Sequence, residues 1–164
     1  MTKPPPKLYL LCGKVAAGKS TLAAKLAAED NTLLISEDEW LAALFADEMH
    51  TPKDYSKCAT KLRAAMAPHI VQLLNSGMSV VLDFQANTVE SRQWMRGLID
   101  QTGVDHDLHL LVPPDELCLA RLRKRNDSGL HPFSVTEEQF HLIGAYFSPP
   151  TPDEGFNLVV HEGA

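Results

Sequence analysis

The sequence predicts a three-layer α/β/α domain built on a five-stranded, mainly parallel sheet. Two observations carry this. Short apolar, partly β-branched runs alternate along the chain with helix-forming segments, the pattern of consecutive βαβ units. The first run, Leu8-Tyr9-Leu10-Leu11-Cys12, also leads straight into Gly13-Lys14-Val15-Ala16-Ala17-Gly18-Lys19-Ser20. That is a G-x-x-x-x-G-K-S loop, and a strand before it with a helix behind it is the context that gives the spacing meaning.

Each loop position has a physical reason. Gly13 lets the chain leave the strand through a tight turn without a Cβ clash. The small residues Ala16, Ala17 and Gly18 let backbone N–H groups wrap closely around phosphate oxygens. The helix behind them, Ser20 to Glu29, aims its unpaired N–H groups and the positive end of its dipole at the same anion. Lys19 can reach the β- and γ-phosphates, and the Ser20 hydroxyl can ligate Mg²⁺. The predicted nucleotide-contacting set therefore runs through Gly13, Lys14, Val15, Ala16, Ala17, Gly18, Lys19, Ser20 and Thr21. The competing reading is an ordinary glycine-containing turn with a solvated lysine.

The remaining elements follow in order. Thr32-Leu33-Leu34-Ile35-Ser36 is a second short strand that delivers Glu37-Asp38-Glu39 to its carboxyl end, where ligands bind in open α/β sheets. On spacing alone these acids read equally as a solvated helix start, where negative charge suits the dipole. A long helix is predicted from Tyr55 to Asn75, with Cys58, Leu62, Met66, Ile70 and Leu73 as its buried stripe. Pro68 inside it is expected to kink or split it. His69 has no partner in the sequence pattern and reads as structural. Ser79 to Phe84 (SVVLDF) is a third strand carrying Asp83 near its end, a position suited to a direct or indirect Mg²⁺ group. Its plainer reading is an acid that caps the strand.

Asn87 or Thr88 then caps a helix through Gln101, with Trp94, Leu98 and Ile99 turned inward. His106 to Val112 is a fourth strand; His106 and His109 are three apart, face opposite sides, and do not suit a shared metal. Asp115 to Asn126 is a helix carrying Arg121-Leu122-Arg123-Lys124-Arg125, in which Arg121 and Arg125 share a face. The plainer reading of this basic cluster is a solvated helix end that complements the dipole. Asp127 to Phe133 reads as a mobile segment, and a lid is expected over about residues 121–136. A further helix runs from Thr136 through Tyr146, then a proline-rich connector from Ser148 to Pro152, then a fifth strand from Phe156 to His161.

Composition sets the outer limits. At 164 residues the chain is read as one domain, 1–164, long enough to bury a core. A net charge of −6 argues against coating nucleic acid. Cys12, Cys58 and Cys118 are far apart and show neither a disulfide framework nor zinc spacing. No apolar run reaches membrane-spanning length, and the proline-rich start has no hydrophobic signal region, so the cytoplasm is the expected location. The chain stops after the fifth strand, so no appended domain is expected. Oligomeric state is open.

From Leu8 to Val160 the chain resembles the small phosphate-loop kinases, the group that includes polynucleotide 5′-kinases, zeta-toxin kinases and chloramphenicol phosphotransferase. The resemblance implies a P-loop NTPase fold with strand order 2-3-1-4-5. Ile35-Ser36-Glu37-Asp38-Glu39-Trp40 resembles the segment that carries the family's base, which would make Asp38 the general base for an acceptor hydroxyl. Val81-Leu82-Asp83 through Asn87 and Arg92 resembles the third strand and substrate-side helix of the polynucleotide kinases. The R-x-x-x-R of Arg121 and Arg125 resembles the family's lid, with Arg125 on the transferring phosphoryl group and Arg121 on the nucleotide. Phe84 stands where relatives that grip a substrate phosphate carry a small polar residue. With the acidic charge, this points away from a polynucleotide substrate.

The implied function is an ATP- and Mg²⁺-dependent kinase, with Lys19, Asp38 and Arg125 catalytic, Ser20 and Asp83 on the metal, and a small hydroxyl-bearing acceptor. Two alternatives stay open. One is a regulatory ATPase without an acceptor; the guanine-selecting N-K-x-D is absent. The other is a toxin-type kinase acting on a sugar nucleotide.

Overall fold

The computed structural model describes residues 4–129 and 134–162. Five strands form one sheet: β1 (Lys7–Cys12), β2 (Thr32–Ser36), β3 (Ser79–Gln85), β4 (Asp105–Val112) and β5 (Leu158–Glu162). Their order is β2-β3-β1-β4-β5, and every adjacent pair is parallel. The sheet expected to be mainly parallel is therefore wholly so. Six α-helices are described: α1 (Lys19–Ala27), α2 (Glu37–Phe45), α3 (Pro52–Asn75), α4 (Val89–Thr102), α5 (Asp115–Ser128) and α6 (Glu137–Gly144).

Strand alternation divides the core into two layers. Leu8, Leu10 and Cys12 of β1 face a cluster with Leu62, Met66 and Ile70 of α3 and Met95 and Leu98 of α4. Leu11 and Val81 face the other way and pack on Ala23 of α1. On that same side Leu111 of β4 meets Cys118 and Leu122 of α5 and Phe140 of α6, with Ala17 of the phosphate loop among them. No helix among the described residues is long and apolar enough to cross a membrane.

Several expectations are corrected. Residues 52–75 form one continuous helix, so Pro68 does not split it. Pro68 is exposed and so is Ala64, the residue whose carbonyl loses its donor, so water can satisfy that carbonyl. α3 also begins three residues before Tyr55. The Thr51 side chain accepts the Asp54 N–H, and Pro52 occupies the first turn, where its missing N–H costs nothing. Leu74, not Leu73, completes the buried stripe, because it lies four residues beyond Ile70.

α6 stops at Gly144, short of Tyr146, and β5 begins at Leu158, after Phe156. Asp127 and Ser128 are helical, so α5 is longer than the sequence suggests and ends at Gly129 with φ of 66°. The rest of the expected mobile segment, Leu130 to Phe133, lies outside the described residues, and so does that part of the expected lid. His69 lies on the exposed face of α3.

Candidate active site

The loop between β1 and α1 is shaped by close approaches that explain its sequence. A Cβ on Gly13 would sit 2.9 Å from the Leu111 carbonyl oxygen of β4, so only glycine fits. Ala16 and Gly18 take positive φ values of 62° and 105° and turn the chain back. Here β1 and β3 also part company: their pairing jumps from Leu10 with Leu82 to Leu11 with Gln85. Gly18 caps α1 without a side-chain hydrogen bond, which leaves the first N–H groups of the helix facing the loop.

Lys19 reaches back over the loop and donates to the carbonyls of Gly13 (2.5 Å) and Lys14 (3.0 Å). Burial pushes its pKa below the usual lysine value, while the Asp83 and Asp38 carboxylates oppose that shift. Ser20 Oγ donates to Asp83 Oδ2 at 2.8 Å. A hydroxyl and a carboxylate at the same point are the hard oxygen donors that Mg²⁺ takes in phosphate sites, so this pair fits that ion. Thr21 is exposed in the first turn of α1. Val15 is partly buried against the cluster around Leu111. Lys14 turns aside to an ion pair with Asp115, at 3.0 Å, on the first turn of α5.

The acids after β2 do different things. Ser36 caps α2 by accepting the Glu39 N–H. Glu37 is buried and pairs with Arg63 of α3: Arg63 Nε donates to Oε2 at 2.9 Å, and the same guanidinium donates to the Gln85 carbonyl. Burial pushes the Glu37 carboxyl up, and Arg63 pulls it back down. The Arg63 guanidinium also lies over the Phe84 and Trp94 rings, which stack 5.6 Å apart. Asp38 is left at the rim, where it accepts from the Tyr55 hydroxyl at 2.9 Å.

α5 supplies the arginines. Arg121 Nη1 donates to the Ala17 carbonyl at 3.3 Å, so it leans on the loop. Arg125 is half-buried one turn on. Burial lowers its pKa and the Asp38 charge raises it, which places the two groups within electrostatic reach. Its Nε is buried without a hydrogen-bond partner among the described residues. A guanidinium donor left so is costly, and an anion in the site would satisfy it.

The structure thus gathers Lys19, Ser20, Asp83, Asp38, Arg121 and Arg125 around the carboxyl ends of β1, β2 and β3. It does not bring Arg92 there. Arg92 is buried and turned inward, donating to the Ala86 carbonyl (2.8 Å) and to Glu154 (2.6 Å). The substrate-side position that the resemblance implies for Arg92 is therefore not where its side chain lies. Sequence reading also overlooked two contacts. Asn87 holds both sides of Gly13, accepting its N–H at 2.9 Å and donating to its carbonyl at 2.8 Å. Tyr55 and Arg63 are eight residues apart on α3 and meet the adjacent acids Glu37 and Asp38. That paired spacing was the available signal.

A phosphate loop between β1 and α1, on a parallel sheet in this order, defines a P-loop NTPase fold. A family model described as "AAA domain" matches residues 8–150, and the chain belongs to that family. Among solved structures it is similar to a candidate kinase from Chloroflexus aurantiacus, 19% identical over 98% of this chain and 87% of that one, with a TM-score of 0.75. It is similar to Kti12 from Chaetomium thermophilum in complex with ADP-AlF3 (15% identical, 94% of this chain and 88% of that one, TM-score 0.70). It is also similar to the APS kinase CysC of Mycobacterium tuberculosis in complex with AMPPNP and APS (20% identical, 96% and 90%, TM-score 0.61). These likenesses establish the fold. No curated protein matches the sequence.

Proposed function

We propose that the protein is an ATP- and Mg²⁺-dependent kinase that transfers the γ-phosphate to a hydroxyl group of a small molecule. The observation that carries this is the convergence of donor-side and acceptor-side groups on one spot. Lys19 and the Ser20–Asp83 pair lie at the loop, the charge of Asp38 reaches Lys19, and Arg125, whose Nε has no hydrogen-bond partner among the described residues, lies within the field of Asp38. The nucleotide analogues bound to the two similar proteins named above support the donor half of the reading.

Phosphoryl transfer asks for positioning and charge neutralisation more than for covalent chemistry. The loop N–H groups and α1 would hold the β- and γ-phosphates, and Lys19 would swing from its two carbonyls onto them. Ser20 and Asp83 would hold Mg²⁺, which would supply charge neutralisation for the phosphates. Arg121 would lie against the nucleotide and Arg125 on the transferring group. Asp38 would accept the proton of the acceptor hydroxyl. The proposed location is the cytoplasm, which supplies ATP and keeps the three free, buried cysteines reduced.

The test is a thermal-shift screen with Mg-ATP and hydroxyl-bearing antibiotics, nucleosides and sugars, followed by mass measurement of the products. Stabilisation by Mg-ATP and a product heavier by one phosphate are expected. No stabilisation by any Mg-nucleotide overturns the reading. Hydrolysis without any phosphorylated product favours a regulatory ATPase instead.

A further inference from the structure

α3 braces both acids at the start of α2. Glu37 takes Arg63, and one residue later Asp38 takes the Tyr55 hydroxyl, each at 2.9 Å. Tyr55 and Arg63 are eight residues apart on α3, about 12 Å along its axis. The brace is stiff. Tyr55 packs against the main core cluster, and its N–H bonds the Thr51 carbonyl at 3.0 Å in the capped first turn of the helix. About one and two turns on, Cys58 and Leu62 are buried in the same core cluster as Leu41 of α2 and the sheet residues Leu10 and Leu82.

An aspartate in the first turn of a short helix can rotate about both χ angles. A transfer reaction needs its carboxylate held within a fraction of an ångström of one direction. We propose that Tyr55 is the positioning residue that aims the Asp38 carboxylate at the acceptor hydroxyl. This rests on Asp38 being the base of the proposed kinase. The phenol suits the task, because burial and the neighbouring Asp38 and Glu37 charges hold its pKa far above the usual tyrosine value. It therefore stays a neutral donor at every working pH. The hydroxyl bonds Asp38, on the acceptor side of the proposed site, so its influence is expected on transfer and not on the grip on nucleotide.

The test is a double-mutant cycle on the whole chain with Tyr55→Phe, Asp38→Asn and the pair combined. Loss of the γ-phosphate from Mg-[γ-³²P]ATP is followed, both to water and to a mixture of polyols and nucleosides. Tyr55→Phe is expected to lower kcat by roughly tenfold to a hundredfold, the range for losing a hydrogen bond to a charged group, with the KM for Mg-ATP unchanged. In the Asp38→Asn background the same change is expected to have no further effect. Replacing Tyr55 by 3-fluorotyrosine, which keeps the ring and the donor, should restore the rate.

A wild-type rate in Tyr55→Phe overturns the inference, as does an equal loss in both backgrounds, which a merely structural tyrosine would give. An inactive Asp38→Asn beside a fully active Tyr55→Phe sinks the role of Tyr55 alone. An Asp38→Asn protein at the wild-type rate sinks the base assignment and this inference with it.

Discussion

Ser20 Oγ donates to Asp83 Oδ2 across 2.8 Å, joining the last residue of the phosphate-loop motif to the end of β3. On the proposed reading the two oxygens would share one cation between two elements. Ser20→Ala and Asp83→Asn should each raise the Mg²⁺ concentration needed for ATP binding by about tenfold or more, the usual cost of losing a metal-orienting group. Calorimetric titration of ATP at a series of Mg²⁺ concentrations reads this. Equal Mg²⁺ dependence in wild type and both variants would reject the shared position.

Arg125 carries a buried Nε with no partner among the described residues and sits within the field of Asp38. Arg125→Ala should leave Mg-ATP affinity within a few-fold of wild type while slowing transfer on the order of a thousandfold, as expected for an arginine that contacts the moving phosphoryl group. Steady-state kinetics beside a binding titration separates the two quantities. A variant that loses ATP binding and keeps its kcat would assign Arg125 to the nucleotide instead.

The Glu37–Arg63 pair is buried on both sides, at 3% and 11% side-chain exposure. Removing one member leaves an uncompensated charge. Arg63→Met should cost about 3–5 kcal/mol at pH 7. The sign of its pH dependence follows from Glu37, whose carboxyl burial pushes up and Arg63 pulls down. Its folded pKa already lies above the unfolded value and rises further without Arg63, so the variant gains more stability than wild type as the pH falls and the carboxyl takes a proton, and its deficit shrinks. Urea unfolding at pH 7 and at pH 5 measures it; a deficit that grows at pH 5 contradicts the account.

His109 Nδ1 and His161 Nε2 lie 2.9 Å apart between β4 and β5, with one ring donating and the other accepting. Tyr9 of β1 stacks on His109, and the charges of Asp107 and Lys7 reach it. Burial, then His161, holds the His109 pKa below the usual 6.5. The unfolded chain therefore binds the proton more readily, and stability is lost as the pH drops below that value towards the folded pKa. The melting temperature should fall between about pH 7 and pH 5. His109→Gln should remove part of that slope; burial lowers His106 in the same direction. A wild-type melting temperature flat over this range would refute the assignment.

The fold was legible because its signals are local. Apolar runs give the strands, and a glycine-lysine-serine spacing between strand and helix fixes what lies between them. The acceptor side was less legible because long-range pairings build it. Arg92 looks like any helical arginine until Glu154, far along the chain, takes its guanidinium inward. Asn87 reads as one of two cap candidates; Thr88 takes the cap by accepting the Ser91 N–H, and that frees Asn87 to clamp Gly13. Pro68 misleads for the opposite reason. A breaker by its own chemistry, it is tolerated because it sits on the face of α3 that water reaches.

The inward turn of Arg92 also sets an order of events during synthesis. Its guanidinium is sealed in the interior, and the carboxylate that neutralises it lies sixty-two residues downstream. A growing chain cannot bury that charge until Glu154 has left the ribosome, a wait of roughly 3 to 12 seconds at ordinary elongation rates. α4 and the turn that clamps the phosphate loop must stay unsettled for that interval. The phosphate loop is made well before Glu154, and the Asn87 clamp on it would settle only after that residue emerges.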